Sequence, residues 1–257
     1  MSRVEFLLRR LTELERPLLV ALDVDGTLAP IVRDPESAEI PTETLSMLAA
    51  LARAPDLELA LITGRDLRSL QRMEQLEGIW RAVEHGGLVL APGEAPAERI
   101  LTPEQREALD RFRVWVAEHA PDAFIEYKPQ AVALHVRPIA ETNPERAERL
   151  LEEADALARS LGLHVRHGKA LREAEAVPYD KANAVREILR RSGASSVFFV
   201  GDDLTDIPAI ELASQNGVGV FVQSDERRGA PSEAAVVLDG VDEVAAVLAG
   251  LLQHSVA

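Results

Sequence analysis

The chain has 257 residues and 47% hydrophobic composition, enough apolar material for one large α/β domain or two lobes, and this excludes a disordered or fibrous protein. Its 28 Lys and Arg against 43 Asp and Glu give a net charge of −15, which disfavours nucleic acid and anionic membrane surfaces as partners and means that an anionic substrate needs local help. The absence of cysteine removes disulfides, thiolate metal sites and Cys nucleophiles and fits a reducing cytoplasm. Only three of the cations are lysine: Lys128, Lys169 and Lys181. A general bias toward Arg explains the shortage but not why these three positions remain.

The opening segment MSRVEFLLRRLTELERP interrupts its apolar residues with charges at helical spacing, unlike a secretory signal. No apolar run reaches the roughly 18 residues that a membrane span needs, so a cytoplasmic protein is expected. Apolar runs at Leu18 to Leu22, Leu57 to Ile62 and Val197 to Val200 read as buried strands. Each stops at a polar, Gly-containing turn: Asp23-Val24-Asp25-Gly26-Thr27, Thr63-Gly64-Arg65 and Gly201-Asp202-Asp203. Helical patterns lie between them at Thr42 to Arg53, with Thr42 as the cap, and at Asp66 to Leu76, Asp180 to Arg191 and Thr205 to Ala213, with Pro208 tolerated in a first turn. A last helix is expected over Val241 to Leu252. Strands alternating with helices predict a doubly wound parallel sheet whose ligand crevice lies beyond the carboxyl ends of its strands, where the three polar turns meet.

The stretch 92–177 reads as helix, strand, strand, twice over. The helices are Pro103 to His119 and Pro144 to Leu161, and the strands are Ala123 to Tyr127, Ala131 to Arg137, Leu163 to Arg166 and Ala170 to Ala176. That pattern predicts an α+β lobe inserted into the first fold, which is formed by 1–91 and 178–257.

Asp23 and Asp25 stand where a strand becomes a turn, and Asp202, followed by Asp203 and Asp206, ends another strand of the same sheet. Crowded carboxylates cannot all ionise without a cation among them, and an oxygen-only donor set suits Mg²⁺. A carboxylate can also attack phosphorus. An isolated Asp-x-Asp is usually a turn device; the signal is the ordered conjunction of DVDGT, ITGR, a Lys opening a helix, and GDDLTD.

On these four motifs the sequence resembles haloacid-dehalogenase-superfamily phosphatases. On LDVDGTLAPIVRDPESA, ITGRDL, VEHGG, ALHVRP and GKALRE it resembles, more finely, the trehalose-6-phosphate phosphatases. The resemblance implies a Mg²⁺-dependent hydrolase of a small-molecule sugar phosphate with a cap lobe. By position it makes Asp23 the nucleophile, Asp25 the acid and base, Thr63 and Lys181 the phosphoryl contacts, and Asp23, Asp202 and the Asp25 carbonyl the metal ligands. Asp203 and Asp206 stand behind these, steering Lys181 or metal-bound water. Gly26, Gly64 and Arg65 fall at the phosphate end, and Glu84, His85 and Gly86 read equally as a turn or as substrate contacts. In the cap, Lys128, His135, Arg137, Lys169 and Glu173 are candidate sugar contacts; a small sheet showing polar residues to solvent is the rival reading. The faces shared by Glu126, Lys128, His135 and Arg137 depend on strand register. His164 and His167, three apart on a strand, fall on opposite faces and do not form a metal pair.

Three positions depart from the family pattern: Ala182 where Gly usually follows the Lys, Glu175-Ala176 where Arg-Pro is expected, and Ile207 where an acid often follows GDDxTD. Glu175 places an acid near an anion site and leaves another phosphorylated glycoside, of the sucrose-phosphate or glycosylglycerate-phosphate type, open as the substrate. A sugar-phosphate sensor is the non-enzymatic alternative, and the oligomeric state is left open.

Overall fold

The computed structural model describes residues 2–32, 34–97, 101–128, 130–168, 170–223, 234 and 236–255. Chain order begins with α1 (Arg3–Thr12), β1 (Leu18–Leu22), α2 (Thr42–Leu51), β2 (Leu57–Ile62), α3 (Leu67–Met73), β3 (Trp80–Val83) and β4 (Leu88–Leu90). A second group follows: α4 (Pro103–His119), β5 (Phe124–Tyr127), β6 (Ala131–His135), α5 (Arg137–Ala140), α6 (Pro144–Ser160), β7 (His164–Gly168) and β8 (Leu171–Glu175). The chain then returns with α7 (Lys181–Ser192), β9 (Ser196–Gly201), α8 (Ile207–Asn216), β10 (Gly217–Gln223), β11 (Val236–Asp239) and α9 (Gly240–Ser255). Two compact units result, Met1–Pro96 with Tyr179–Ala257, and Ala97–Pro178.

In the first unit, among the described residues, seven strands pair in the order β11-β10-β9-β1-β2-β3-β4. All neighbours are parallel except the edge pair β3 and β4. The alternation of β1 explains the layering. Leu18, Val20 and Leu22 pack with Leu7, Leu11, Leu48 and Leu251 on one face, whereas Leu19 and Ala21 pack with Val185, Ile188 and Ile210 on the other. Each such Leu, Val or Ile side chain taken from water contributes about 1.5–3 kcal/mol, and burial on both faces is why these strands read as unbroken apolar runs.

Several helix ends differ from the sequence reading. Asp66 and Asp180 lie outside their helices as N-caps, accepting from the N–H groups of Ser69 and Asn183. Thr42 is not a cap: Pro41 occupies that position without a side-chain bond and Thr42 begins the helix. The helix expected from Thr205 begins at Ile207 after a 3₁₀ turn, Leu204–Asp206, and Pro208 sits in its first turn. Strands β3, β4, β10 and β11 carry no clear sequence signal. The first two are short and carry Arg81 at their pairing, and β10 opens at Gly217 and is interrupted by Gly219.

The second unit is an antiparallel sheet, β5-β6-β8-β7. Val132, Leu134, Ala174, Ile125 and Val165 point to α4 and α6 and form their own core with Phe112, Val116 and Leu150. The opposite face carries the alternate residues.

Candidate active site

Leu22 is the last residue of β1, the central strand, and the Asp23 N–H still donates to the Val200 carbonyl (2.9 Å). Asp23 is thereby fixed beside the end of β9, where Asp202 follows, and beside the end of β2, where Thr63 follows. The chain turns at Gly26, whose N–H donates to the Ala29 carbonyl (2.8 Å) at φ 79°. A Cβ at Gly26 would overlap the Asp202 carboxylate, so the glycine supplies both the left-handed turn and the space for Asp202.

Buried carboxylate oxygens of Asp23, Asp202 and Asp206 come within 4.8 Å of one another. Lys181, in the first turn of α7, reaches into them: its Nζ is 2.7 Å from Asp23 Oδ1 and 2.6 Å from Asp206 Oδ1, and its side chain is 3% exposed. Asp206 is held on its other oxygen by the Asp203 N–H (2.9 Å). It thus contacts Lys181 with one oxygen and the Asp203 N–H with the other. The Asp203 carboxylate caps the Leu204 N–H.

Three carboxylates against one ammonium leave two negative charges within the cluster, and every donor is a hard oxygen, a set that fits Mg²⁺. Burial, reinforced by Asp206 and Asp202 and opposed by Lys181, pushes the Asp23 carboxyl well above the ordinary range. Burial acts to deprotonate Lys181, but Asp23 and Asp206 outweigh it and keep the ammonium charged.

The Asp25 side chain, 40% exposed, is gripped by Arg65: Nε to Oδ2 at 2.7 Å and Nη2 to Oδ1 at 2.6 Å. That grip raises the Arg65 pKa further. Thr63 is buried. Its Oγ accepts from the Arg65 N–H (3.1 Å), which leaves its own O–H to donate. Glu84 and His85 adopt positive φ, 53° and 57°, a rare conformation for residues with side chains. Their N–H groups donate to the carbonyls of Arg65 (2.8 Å) and Thr63 (2.9 Å). The His85 ring lies over Gly64, leaving no room for a Cβ, and Gly86, at φ 97°, packs on the Asp180 carbonyl. The strained turn thus braces both the loop after β2 and the start of α7.

In the second unit, register places Glu126 opposite Ala133, Ala133 opposite Glu173, and Glu173 opposite Arg166. The sheet face away from the helices therefore carries Glu126, Lys128, His135, Arg166, Glu173 and Glu175. Lys128 pairs with Glu173 (2.7 Å), Arg166 with Glu175 (2.8 Å), and His135 lies 3.4 Å from Glu126. Arg137 does not share this face: β6 ends at His135 and Arg137 opens the short α5. Lys169 lies outside the described residues. His164 and His167 fall on opposite faces of β7, and His167 sits beside Asp155 (3.2 Å). The sequence reading missed Arg166 as the partner of Glu175. It also missed the chain of contacts behind Arg65, although Arg65, Ser69 and Arg72 stand at i, i+4 and i+7, a helical spacing that could have shown it.

A parallel sheet whose central strand ends in Asp23 and Asp25, with Thr63, Lys181 and Asp202 delivered from neighbouring ends and an α+β unit inserted, defines an α/β fold of the haloacid-dehalogenase type. The fold is similar to that of a phosphatase of this superfamily from Bacteroides thetaiotaomicron (TM-score 0.61, 18% identity, 92% of this chain and 94% of that one). It is also similar to that of the Aspergillus fumigatus trehalose-6-phosphate phosphatase (TM-score 0.74, 24% identity, 99% and 98%). Within that class the chain belongs to the trehalose-phosphatase family, whose profile matches residues 21–242. A trehalose-phosphate phosphatase of Mycobacterium ulcerans is 31% identical over 239 residues, 88% of this chain and 59% of that protein. Of two longer Mycobacterium tuberculosis relatives the chain spans 18%.

Proposed function

We propose that the chain is a Mg²⁺-dependent phosphatase that hydrolyses trehalose 6-phosphate to trehalose and phosphate through an aspartyl-phosphate. The observation that carries this reading is Asp23 at the end of the central strand, in contact with Lys181 and clustered with Asp202, with a second acid two residues on. An Asp23 oxygen attacks phosphorus and the bond from phosphorus to the sugar oxygen breaks. Asp25 gives its proton to the departing alkoxide. Water then attacks the phosphorus of the aspartyl-phosphate and its proton passes to Asp25, which restores the Asp23 carboxylate as phosphate leaves. The Thr63 O–H and the Lys181 ammonium hold the phosphoryl oxygens, since phosphoryl transfer asks the protein mainly for positioning and charge neutralisation. Asp23, Asp202 and the Asp25 carbonyl would hold Mg²⁺, which when bound neutralises charge on the phosphoryl group.

Sugar hydroxyls are assigned to Lys128, His135 and Glu173, which share one sheet face; for Arg137 and Lys169 the assignment is supported by the family resemblance alone. The pairing of Glu175 with Arg166 offsets the acid that favoured a different glycoside. Phosphate release with Mg²⁺ from trehalose 6-phosphate, sucrose 6-phosphate, a glycosylglycerate phosphate and glucose 6-phosphate tests the reading. The highest kcat/KM is expected for trehalose 6-phosphate; faster cleavage of another ester overturns the substrate, and binding without turnover overturns the activity.

A further inference from the structure

We propose that Arg65 is a positioning residue that acts through Asp25, and that it is not a contact for the phosphate. This rests on the reading of Asp25 as the proton donor given above. The guanidinium donates Nε and Nη2 to the two oxygens of Asp25 and Nη1 to Ser69 Oγ (3.1 Å), so each of its three nitrogens has a protein partner. Its side chain is only 10% exposed. Two parallel bonds fix the plane of a carboxylate as well as its place, which a single contact does not. Asp25 is partly exposed, unlike the buried Asp23, Asp202 and Asp206, and the backbone bonds of Gly26, Leu28 and Ala29 close its turn without using its side chain.

Arg65 is itself held from behind. Ser69 Oγ also accepts from Arg72 Nη2 (3.1 Å), Arg72 pairs with Glu36, and the Glu84 N–H ties down the Arg65 carbonyl. A line of contacts thus runs from Asp25 through Arg65, Ser69 and Arg72 to Glu36 in the turn Pro35–Ser37, and at its inner end it orients the proton-transferring group. Misplacing such a group by about 1 Å costs on the order of a hundredfold in rate.

The test compares two esters on the full chain with Mg²⁺, because kcat/KM reports events up to the first irreversible bond cleavage. 4-Nitrophenyl phosphate releases a phenolate that needs no proton; trehalose 6-phosphate releases an alkoxide that does. For Arg65→Gln, kcat/KM is expected to stay within about threefold on the aryl ester and to fall roughly ten- to a hundredfold on the sugar ester. Ser69→Ala, which removes only the rear support, should show the same split at about three- to tenfold. Arg65→Lys, which keeps the charge without the fork, should not restore the sugar ester. Equal losses on both esters, or no loss on either, would overturn the proposal and return Arg65 to a phosphate-binding or bystander role. A wild-type chain that cleaves neither ester would instead refute the phosphatase reading on which it rests.

Discussion

Replacing Lys181 with Met removes the one cation that, among the described residues, lies inside the carboxylate cluster and keeps roughly the same volume. The ammonium lies 2.7 Å from Asp23 and 2.6 Å from Asp206, and at an effective dielectric of about 20 each pair is worth about 6 kcal/mol of gross attraction. Two terms offset that sum: the ammonium no longer has to be desolvated, and one of the crowded acids can take up a proton. The net loss expected on breaking a buried pair of this kind is about 3–5 kcal/mol, or a melting temperature lower by about 6–20 °C at roughly 2–4 °C per kcal/mol. A divalent cation can supply the missing charge to Lys181→Met, whereas in the wild type part of that charge is already present. Thermal melts in EDTA and in millimolar Mg²⁺ should therefore show a larger Mg²⁺-induced shift for the variant than for the wild type, with no catalytic turnover in either condition for the variant. Equal shifts, or a variant as stable as the wild type in EDTA, would refute the reasoning that Lys181 and the metal share one electrostatic task.

Gly26→Ala should cost about 1–2 kcal/mol for the left-handed turn alone and, because its Cβ overlaps Asp202, should weaken Mg²⁺ binding; a calorimetric titration that finds wild-type affinity would contradict the packing. Arg81→Met leaves the fully buried Glu74 without its two bonds from Arg81 (2.7 and 3.0 Å), so a loss of about 3–5 kcal/mol is expected with kcat unchanged; denaturant unfolding and steady-state assay together check this. In metal-free protein the raised Asp23 carboxyl means that the folded state holds its proton more tightly than the unfolded state. Its contribution is therefore favourable at low pH and is lost as pH rises through the folded value. Relative to Asp23→Asn, the wild type in EDTA should gain stability as pH falls from neutrality toward the ordinary carboxylate range, and a gain in the opposite sense in urea melts would contradict the burial argument.

The motifs legible in the sequence were those fixed by local chemistry. Apolar runs buried on both faces announced β1, β2 and β9, and each stopped where a polar turn had to reach solvent or ligand, so Asp23, Thr63 and Asp202 could be placed at one end of one sheet before any coordinate was known. Asp206 is expected to steer Lys181 or metal-bound water; its contacts with the Lys181 ammonium (2.6 Å) and the Asp203 N–H (2.9 Å) are not given by its place in the sequence. Partnerships between distant residues were invisible for the same reason. Arg166 and Glu175 are nine residues apart in sequence and meet through the register of β7 on β8, and Arg137 leaves the sheet because the chain after His135 turns into α5. Glu74 falls within the helix expected over Asp66 to Leu76, yet α3 ends at Met73 and Glu74, in an extended conformation, is buried against Arg81.

The scarcity of lysine has a geometric counterpart in the first unit. Lys181 must touch two carboxylates at once, at 2.7 and 2.6 Å, within a fully buried space, which suits a compact ammonium with rotatable donors. Asp25 must have one carboxylate held in one plane, and there the chain uses Arg65, whose fork matches both oxygens. If this division holds, Lys181→Arg is not a conservative change. A planar guanidinium has no room to bridge Asp23 and Asp206 without displacing one of them, so the variant should lose at least about a hundredfold in kcat, as expected for a misplaced catalytic group, although its charge is intact. Retained turnover in Lys181→Arg would show that charge alone is required at this position, and that lysine there is a matter of composition.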